Sequence, residues 1–254
     1  MAAQKNKKYF ISDSHLGSRA FAHTDREREQ KLVRFLDSIK AEASDIYFLG
    51  DIFDFWYEYN HYVPKGCVRL LGKMAELSDS GINLHFFIGN HDIWTFGYLE
   101  KEIGMKVYGA YDIQMLDGKK FFLSHGDMVG YRPFSVHLMQ KIFHSKAIQH
   151  LYSVIHPSLS MKFGYWWSKN NRLVKHTQES AQYLGEDKEF LVQFAKETLK
   201  KDPSIDFFIF GHRHVVLDLL LRDNKRVVYL GDWIDKFSYG EWDGENFFLK
   251  NFEE

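Results

Sequence analysis

The sequence predicts an α/β fold, and three observations carry that prediction. Short apolar runs recur at 9–11, 46–49, 84–88, 121–123, 207–210 and 227–230, each ending in glycine or a polar turn. Runs so short and so rich in β-branched and aromatic residues read as buried strands. Helical periodicity falls between the early runs, the pattern of strands joined across a sheet by helices. The chain also has the material for a large core: of 254 residues, 45% are apolar and 17% aromatic, which excludes wholesale disorder.

Taken in order, the first run is Tyr9-Phe10-Ile11. The polar stretch before it and the brevity of the run do not match a secretion signal. Thr24 and Glu27 then form a capping-box pair, after which Leu32, Phe35, Leu36, Ile39 and Ala43 repeat at helical spacing. A second helix is predicted over about 68–77, stopping near Gly81. After 121–123 the alternation breaks. Residues from about 130 to 200 read as mostly helical, with Phe190, Leu191, Phe194 and Leu199 as the clearest amphipathic stretch. The C-terminal part returns to strands, with turns at Arg222-Asp223-Asn224 and Asp243-Gly244.

A single cysteine, Cys67, excludes an intrachain disulfide and suits a reducing compartment. No stretch approaches the roughly 18 apolar residues of a membrane span. These features lead us to expect a soluble, cytoplasmic protein. The net charge of −1 is uninformative, but its distribution is not. Between 128 and 178 there is no Asp or Glu, while Arg132, Lys141, Lys146, Lys162, Lys169, Arg172 and Lys175 are interleaved with Tyr131, Phe134, Phe143, Tyr152, Phe163, Tyr165, Trp166 and Trp167. Soluble surfaces normally mix both signs, so this segment points to an anionic and partly apolar partner.

The ends of the apolar runs carry the chemistry. The first leads into Ser12-Asp13-Ser14-His15 and the second into Gly50-Asp51-Ile52-Phe53-Asp54. Gly89-Asn90-His91-Asp92, Ser124-His125-Gly126-Asp127 and Gly211-His212-Arg213-His214 follow three of the others. Ligands in open α/β sheets bind beyond the carboxyl ends of strands, so five distant segments deliver Asp, His and Asn to one rim. Carboxylates and imidazoles without thiolates suit Mn, Fe, Zn or Ni at a reactive centre, not a structural zinc site. Asp51 has two oxygens with which to bridge two cations, and such a pair activates water and clamps a phosphoryl group. His91 is suited to proton transfer, with Asp92 available to orient its ring. His23, His61, His85, His137, His144, His150, His156 and His176 fall outside this pattern and read as surface or packing residues.

The order D-x-H, G-D-x-x-D, G-N-H-D, H-G-D and G-H-x-H resembles the calcineurin-like metallophosphoesterases over the whole chain. The resemblance implies a four-layer α/β/β/α sandwich formed by one domain, 1–254, with a helical cap inserted at about 130–200. It implies two divalent metal ions, Mn2+ first among the candidates. One is expected on Asp13, His15, Asp51 and His214, the other on Asp51, Asn90, His125 and His212.

Within that superfamily, the phrase Gly50-Asp51-Ile52-Phe53-Asp54-Phe55-Trp56 and the position of the helical insertion look like the UDP-2,3-diacylglucosamine hydrolases of lipid A biosynthesis. The resemblance implies cleavage of a pyrophosphate to UMP and 2,3-diacylglucosamine 1-phosphate, with Asn90, His91, Ser168, Arg172, Lys175 and His212 contacting substrate. It implies an anionic lipid-linked nucleotide as partner and peripheral contact with the cytoplasmic face of the inner membrane, and no nucleic acid. Two positions depart from that family's pattern: His91 stands where well-known members carry Arg, and no acidic pair follows Asp127 within a few residues. Two alternatives remain at this point. One is a metal-dependent phosphodiesterase or phosphatase acting on a soluble nucleotide or phosphoprotein, and the other is a non-catalytic scaffold of the same fold.

Overall fold

The computed structural model describes residues 5–18, 21–131, 133–175 and 182–253, with the side chains at 169 and 171–175 excepted. Its strands are β1 (Lys7–Ile11), β2 (Ala43–Phe48), β3 (Asn83–Phe87), β4 (Lys106–Tyr108), β5 (Asp112–Leu116), β6 (Lys119–Ser124), β7 (Phe207–Phe210), β8 (Val216–Leu220), β9 (Arg226–Leu230), β10 (Ser238–Trp242) and β11 (Phe247–Asn251). They form a six-stranded sheet in the order β11-β10-β1-β2-β3-β4 and a five-stranded sheet in the order β5-β6-β7-β9-β8. In the first sheet β1 to β4 run parallel, and in the second β6, β7 and β9 do. Each set of parallel strands therefore ends on one edge of its sheet.

The layering follows from the two-residue period of a strand. Phe10, Tyr47, Leu49, Phe121, Leu123, Phe207, Ile209, Val228 and Leu230 share one core between the two sheets. Their neighbours Tyr9, Ile11, Ile46 and Phe48 point the other way, into a core with α1 (Asp25–Ile39), α2 (Val68–Asp79) and a π-helical turn at Leu99–Ile103. On the far side Phe122, Phe208, Phe210, Val227 and Tyr229 pack against Leu191, Val192 and Ala195. Both faces of both sheets are thus apolar, and each fully buried Leu or Phe contributes roughly 1.5–3 kcal/mol. The result is the expected order of helix, sheet, sheet, helix. The capping box at Thr24 and Glu27 is present, and Leu32, Phe35, Leu36 and Ile39 are buried.

The helical stretch after Gly130 divides into two parts with different roles. The helix Phe190–Lys201 supplies Leu191, Val192 and Ala195 and is the outer layer of the second sheet. Before it come α3 (Phe134–Phe143), α4 (Lys146–Ser153) and α5 (Pro157–Lys175), so the later helix is α6. Tyr152 and Phe143 from this earlier group pack with Phe55, Tyr57, Ile93 and Trp94 from the loops that leave β2 and β3. Hairpins join β8 to β9 and β10 to β11 at the turns read from the sequence. The strands β4 and β5 and the π-helical turn were not legible there. β4 is only three residues long, and β5 is an edge strand whose Ile113 and Met115 face outward while Gln114 turns inward.

Candidate active site

Five expected metal ligands stand in backbone conformations that ordinary residues avoid. Asp13, His15, Asp51, His212 and His214 have φ of 55°, 42°, 52°, 66° and 51°. Left-handed non-glycine residues cost of order 1–3 kcal/mol each and persist where packing over-determines them, characteristically at functional sites. The chain also runs very close here: a Cβ at Gly89 would overlap the backbone and carboxylate of Asp51.

The geometry of the ligand side chains is set from behind. His125 Nδ1 donates to the Leu49 carbonyl at 2.8 Å, so Nε2 is the nitrogen directed inward, 3.4 Å from Asp51 Oδ2. His214 has Nδ1 3.7 Å from Asp232 Oδ2 and Nε2 3.5 Å from Asp13 Oδ1. His15 has Nδ1 3.7 Å from Asp54 Oδ1, and Nε2 3.6 Å from Asp51 Oδ2 and 3.8 Å from Asp13 Oδ1. Acceptors behind metal-binding imidazoles fix the tautomer and aim the second nitrogen. Spacings of 3.4–3.8 Å between ligand atoms fit a cation about 2 Å from each.

Two ligand sets emerge, Asp13–His15–His214 and Asp51–His125–His212, and a third cluster joins His15, Asp54 and His91. Asp13 Oδ1, Asn90 Oδ1 and His125 Nε2 are buried and take no hydrogen bond among the described residues. A buried polar atom so placed costs about 1–3 kcal/mol. Divalent cations would satisfy these atoms, and the donor set of carboxylate, amide oxygen and imidazole is suited to them. Burial pushes the Asp13 carboxyl above its ordinary range. Burial acts in the same direction on Asp51, but His125 and His91 outweigh it and hold that carboxyl well below its usual value. His125 is raised well above the ordinary imidazole range, because the Asp51 carboxylate overcomes the opposing effect of burial. His214 is raised in the same way, by Asp13 and then Asp232.

His91 and Asp92 occupy different surroundings from the pairing expected of them. The His91 ring donates from Nδ1 to the Asp54 carbonyl at 2.8 Å. The Asp92 carboxylate is buried and takes backbone N–H bonds from Gly89 at 2.7 Å and Ile52 at 2.8 Å. It ties the loops after β2 and β3 together, and burial with the nearby Asp51 pushes its carboxyl up to about 7. Asp232 was missed by the sequence reading, although Gly231-Asp232 follows the run 227–230 just as Gly50-Asp51 follows 46–49. Arg28 was also missed. Its guanidinium is buried and donates to the carbonyls of Ser14 (2.5 Å) and Ser18 (3.1 Å), bracing the loop that carries Asp13 and His15. A lone arginine on an amphipathic helix gives no such signal.

The helices α3 to α5 stand over this centre. Gln140 of α3 donates to the Asp127 carbonyl at 3.1 Å, and Ser168 of α5 donates to Asp54 Oδ1 at 3.0 Å. Between them and the ligands lies a cavity of about 150 Å³, walled by Phe55, Trp94, Phe143, Phe163 and Trp167, with Asn90, His91 and His212 also lining it. Of the paired tryptophans, Trp167 lines this cavity while Trp166 is exposed. Arg172 and Lys175 belong to α5, but their side chains lie outside the described residues. Among the other histidines, His85 is a packing residue, stacked on Tyr47 and bonded to Asp45 and Tyr108. His176 lies outside the described residues.

Two sheets that gather Asp, His and Asn side chains at their strand ends fit a metal-dependent phosphoesterase, and sequence comparison agrees. The calcineurin-like phosphoesterase profile matches residues 7–216, and the chain belongs to that family and is a hydrolase. It is 42% identical to a UDP-2,3-diacylglucosamine hydrolase of Porphyromonas gingivalis, over 98% of this chain and 99% of that one. A UDP-2,3-diacylglucosamine hydrolase of Haemophilus influenzae is 28% identical, over 89% of this chain and 90% of that one. Among solved structures, a dimetal phosphatase from Danio rerio shares the fold with a TM-score of 0.53, 16% identity and coverage of 97% and 96%.

Proposed function

We propose that this protein hydrolyses the pyrophosphate bond of UDP-2,3-diacylglucosamine, releasing UMP and 2,3-diacylglucosamine 1-phosphate. The observation that carries the reading is the apolar cavity joining α3–α5 to Asn90, His91 and His212. Acyl chains suit an apolar chamber beside the reacting groups. The Porphyromonas gingivalis relative, similar over the full chain, supports the same substrate.

Asp13, His15, Asp51 and His214 would hold one divalent cation, and Asp51, Asn90, His125 and His212 the other, with Mn2+ the favoured ion. When bound, the cations supply an activated water and charge stabilisation at the phosphoryl group. The protein's own contribution is positional. Asp51 Oδ2 lies between His15 Nε2 and His125 Nε2, where a carboxylate can face two cations at once. His91 keeps its Nδ1 proton on the Asp54 carbonyl, which leaves Nε2 to donate toward the phosphoryl oxygen or leaving group when protonated. Arg172 and Lys175 would meet the phosphates or sugar of the substrate.

Exposed Phe134, Leu151, Leu159 and Trp166 on α3–α5 suit contact with a lipid surface, where the segment's lysines and arginines would meet anionic headgroups. Among the described residues no helix is long and apolar enough to cross a membrane. From those exposed apolar and basic residues we infer peripheral association with the cytoplasmic face of the membrane.

The deciding experiment is a substrate panel with Mn2+. UMP released from UDP-2,3-diacylglucosamine supports the reading, and turnover of soluble phosphodiesters alone overturns it. Replacing Arg172 and Lys175 together by Ala should depress turnover of the UDP-lipid and leave a small chromogenic phosphodiester unaffected.

A further inference from the structure

The loop that leaves β2 meets α5 along a single stripe of that helix. Ser160, Gly164 and Ser168 recur every fourth residue and so share one face. Each meets a different residue of the loop. The Ser160 hydroxyl bonds the Tyr59 hydroxyl, a Cβ at Gly164 would overlap the Phe55 ring, and Ser168 donates to Asp54. Ser168 is only 2% exposed.

Asp54 is the junction. Its Oδ1 accepts the Ser168 proton at 3.0 Å and also faces His15 Nδ1 at 3.7 Å and His91 Nδ1 at 3.9 Å. Its backbone carbonyl takes the His91 Nδ1 proton at 2.8 Å, and Ser168 Oγ lies 3.2 Å from the same nitrogen. A carbonyl only accepts, so Nδ1 carries the hydrogen and Ser168 Oγ receives a second share of it. One hydroxyl from the helical cap is therefore bonded both to the carboxylate behind a metal ligand and to the ring expected to move a proton.

We propose that Ser168 is a positioning residue that fixes the His91 ring and the Asp54 carboxylate when α5 is seated on the β2 loop. The cap then completes the catalytic geometry as well as covering the cavity. The proposal rests on the reading above only in taking His91 to face the reacting phosphoryl group. It differs from a substrate-contact role for Ser168, because its hydroxyl hydrogen points to Asp54.

The test uses the metal-loaded full chain and two substrates, bis(p-nitrophenyl) phosphate and UDP-2,3-diacylglucosamine. Ser168→Ala should lower kcat on the small diester by about tenfold, within the range typical for residues that orient metal-site histidines. KM should stay within about twofold, and Ser168→Thr, which restores the hydroxyl, should recover most of the loss. The 15N resonance of His91 Nδ1 in histidine-labelled, Zn2+-loaded protein should shift in Ser168→Ala. Should that variant not fold, Ser168→Cys fills similar volume with a weaker donor and is read the same way. A raised KM confined to the UDP-lipid, an unmoved His91 resonance, or unchanged kinetics on the diester would each overturn the proposal. If no form turns over the UDP-lipid while the diester effect persists, the substrate assignment falls and the role of Ser168 stands.

Discussion

Asp232 Oδ2 lies 3.7 Å from His214 Nδ1, and the opposite nitrogen of that ring lies 3.5 Å from Asp13 Oδ1. The carboxylate that aims this histidine comes from the end of β9, a strand to which the motif pattern assigned no ligand. The His214 side chain favours the charged form of Asp232 strongly enough to overcome burial and hold its carboxyl far below the ordinary range.

Asp232→Asn should weaken metal binding at the Asp13–His15–His214 set by about 10- to 100-fold, the usual effect of losing such a partner. The amide retains an oxygen for the backbone N–H groups of Ile234, Asp235 and Lys236, which now bond Oδ1. The metal-free fold should also lose stability, because His214 and Lys236 lose a charged partner, so a metal titration on the folded variant isolates the orienting effect. Unchanged affinity would remove the orienting role.

Asp51→Ala should lose both cations, since one oxygen of this residue lies within 3.6 Å of His15 Nε2 and 3.4 Å of His125 Nε2. Elemental analysis after gel filtration should find less than one metal per chain. Full occupancy would exclude a bridging position for this carboxylate.

His91→Ala should reduce turnover by about 10²–10⁴-fold, the range for a lost general acid or base. Metal content should remain near that of the parent protein. The backbone N–H of residue 91, not the ring, donates to Asp51 Oδ1 at 2.9 Å, so this support survives the substitution. Loss of a cation in this variant would make the ring a ligand.

Metal uptake should release protons, and affinity should fall as pH is lowered. His125 in the metal-free protein is raised well above the usual imidazole range by Asp51, so below that raised value it carries a proton that a cation must displace. His214 is displaced in the same direction. Affinity therefore rises with pH until both rings are neutral in the free protein. Calorimetric titration in buffers of different ionisation heat counts the protons, and a count of zero at pH 7 contradicts the assignment.

Arg28→Met should destabilise the metal-free fold by about 1–3 kcal/mol, the cost of leaving buried carbonyls without their donor. The carbonyls of Ser14 and Ser18 lose their donor, and Asp25 loses a partner at 3.2 Å. Urea unfolding measures the effect, and a loss under 1 kcal/mol would mean that water replaces the guanidinium.

The candidate ligands and their order were legible in the sequence because strand ends are local features. An apolar run stops, a glycine turns the chain, and a carboxylate or imidazole follows. The layer structure was partly legible for a similar reason: Phe10 and Ile11, or Phe121 and Phe122, are both apolar, so both faces of their strands must be covered. Asp54 stood in the G-D-x-x-D motif, but its contacts with His15 and Ser168 cross 39 and 114 positions of chain, and no sequence periodicity records such distances.

The sequence alone determined which atoms are available to hold cations and to move protons. It also set the basic, aromatic character of the segment between 128 and 178. Only the tertiary structure decided how those atoms are aimed. Packing forces Asp13, His15, Asp51, His212 and His214 into left-handed backbone conformations. Oxygens from three other segments face the outer nitrogens of the imidazole rings: the Leu49 carbonyl bonds His125, and the Asp54 and Asp232 carboxylates lie beside His15 and His214. Tertiary packing also assigned α6 to the outer layer of the second sheet and seated α5 over the ligands, because a helix buries its apolar or small-residue face against whichever surface the rest of the chain provides.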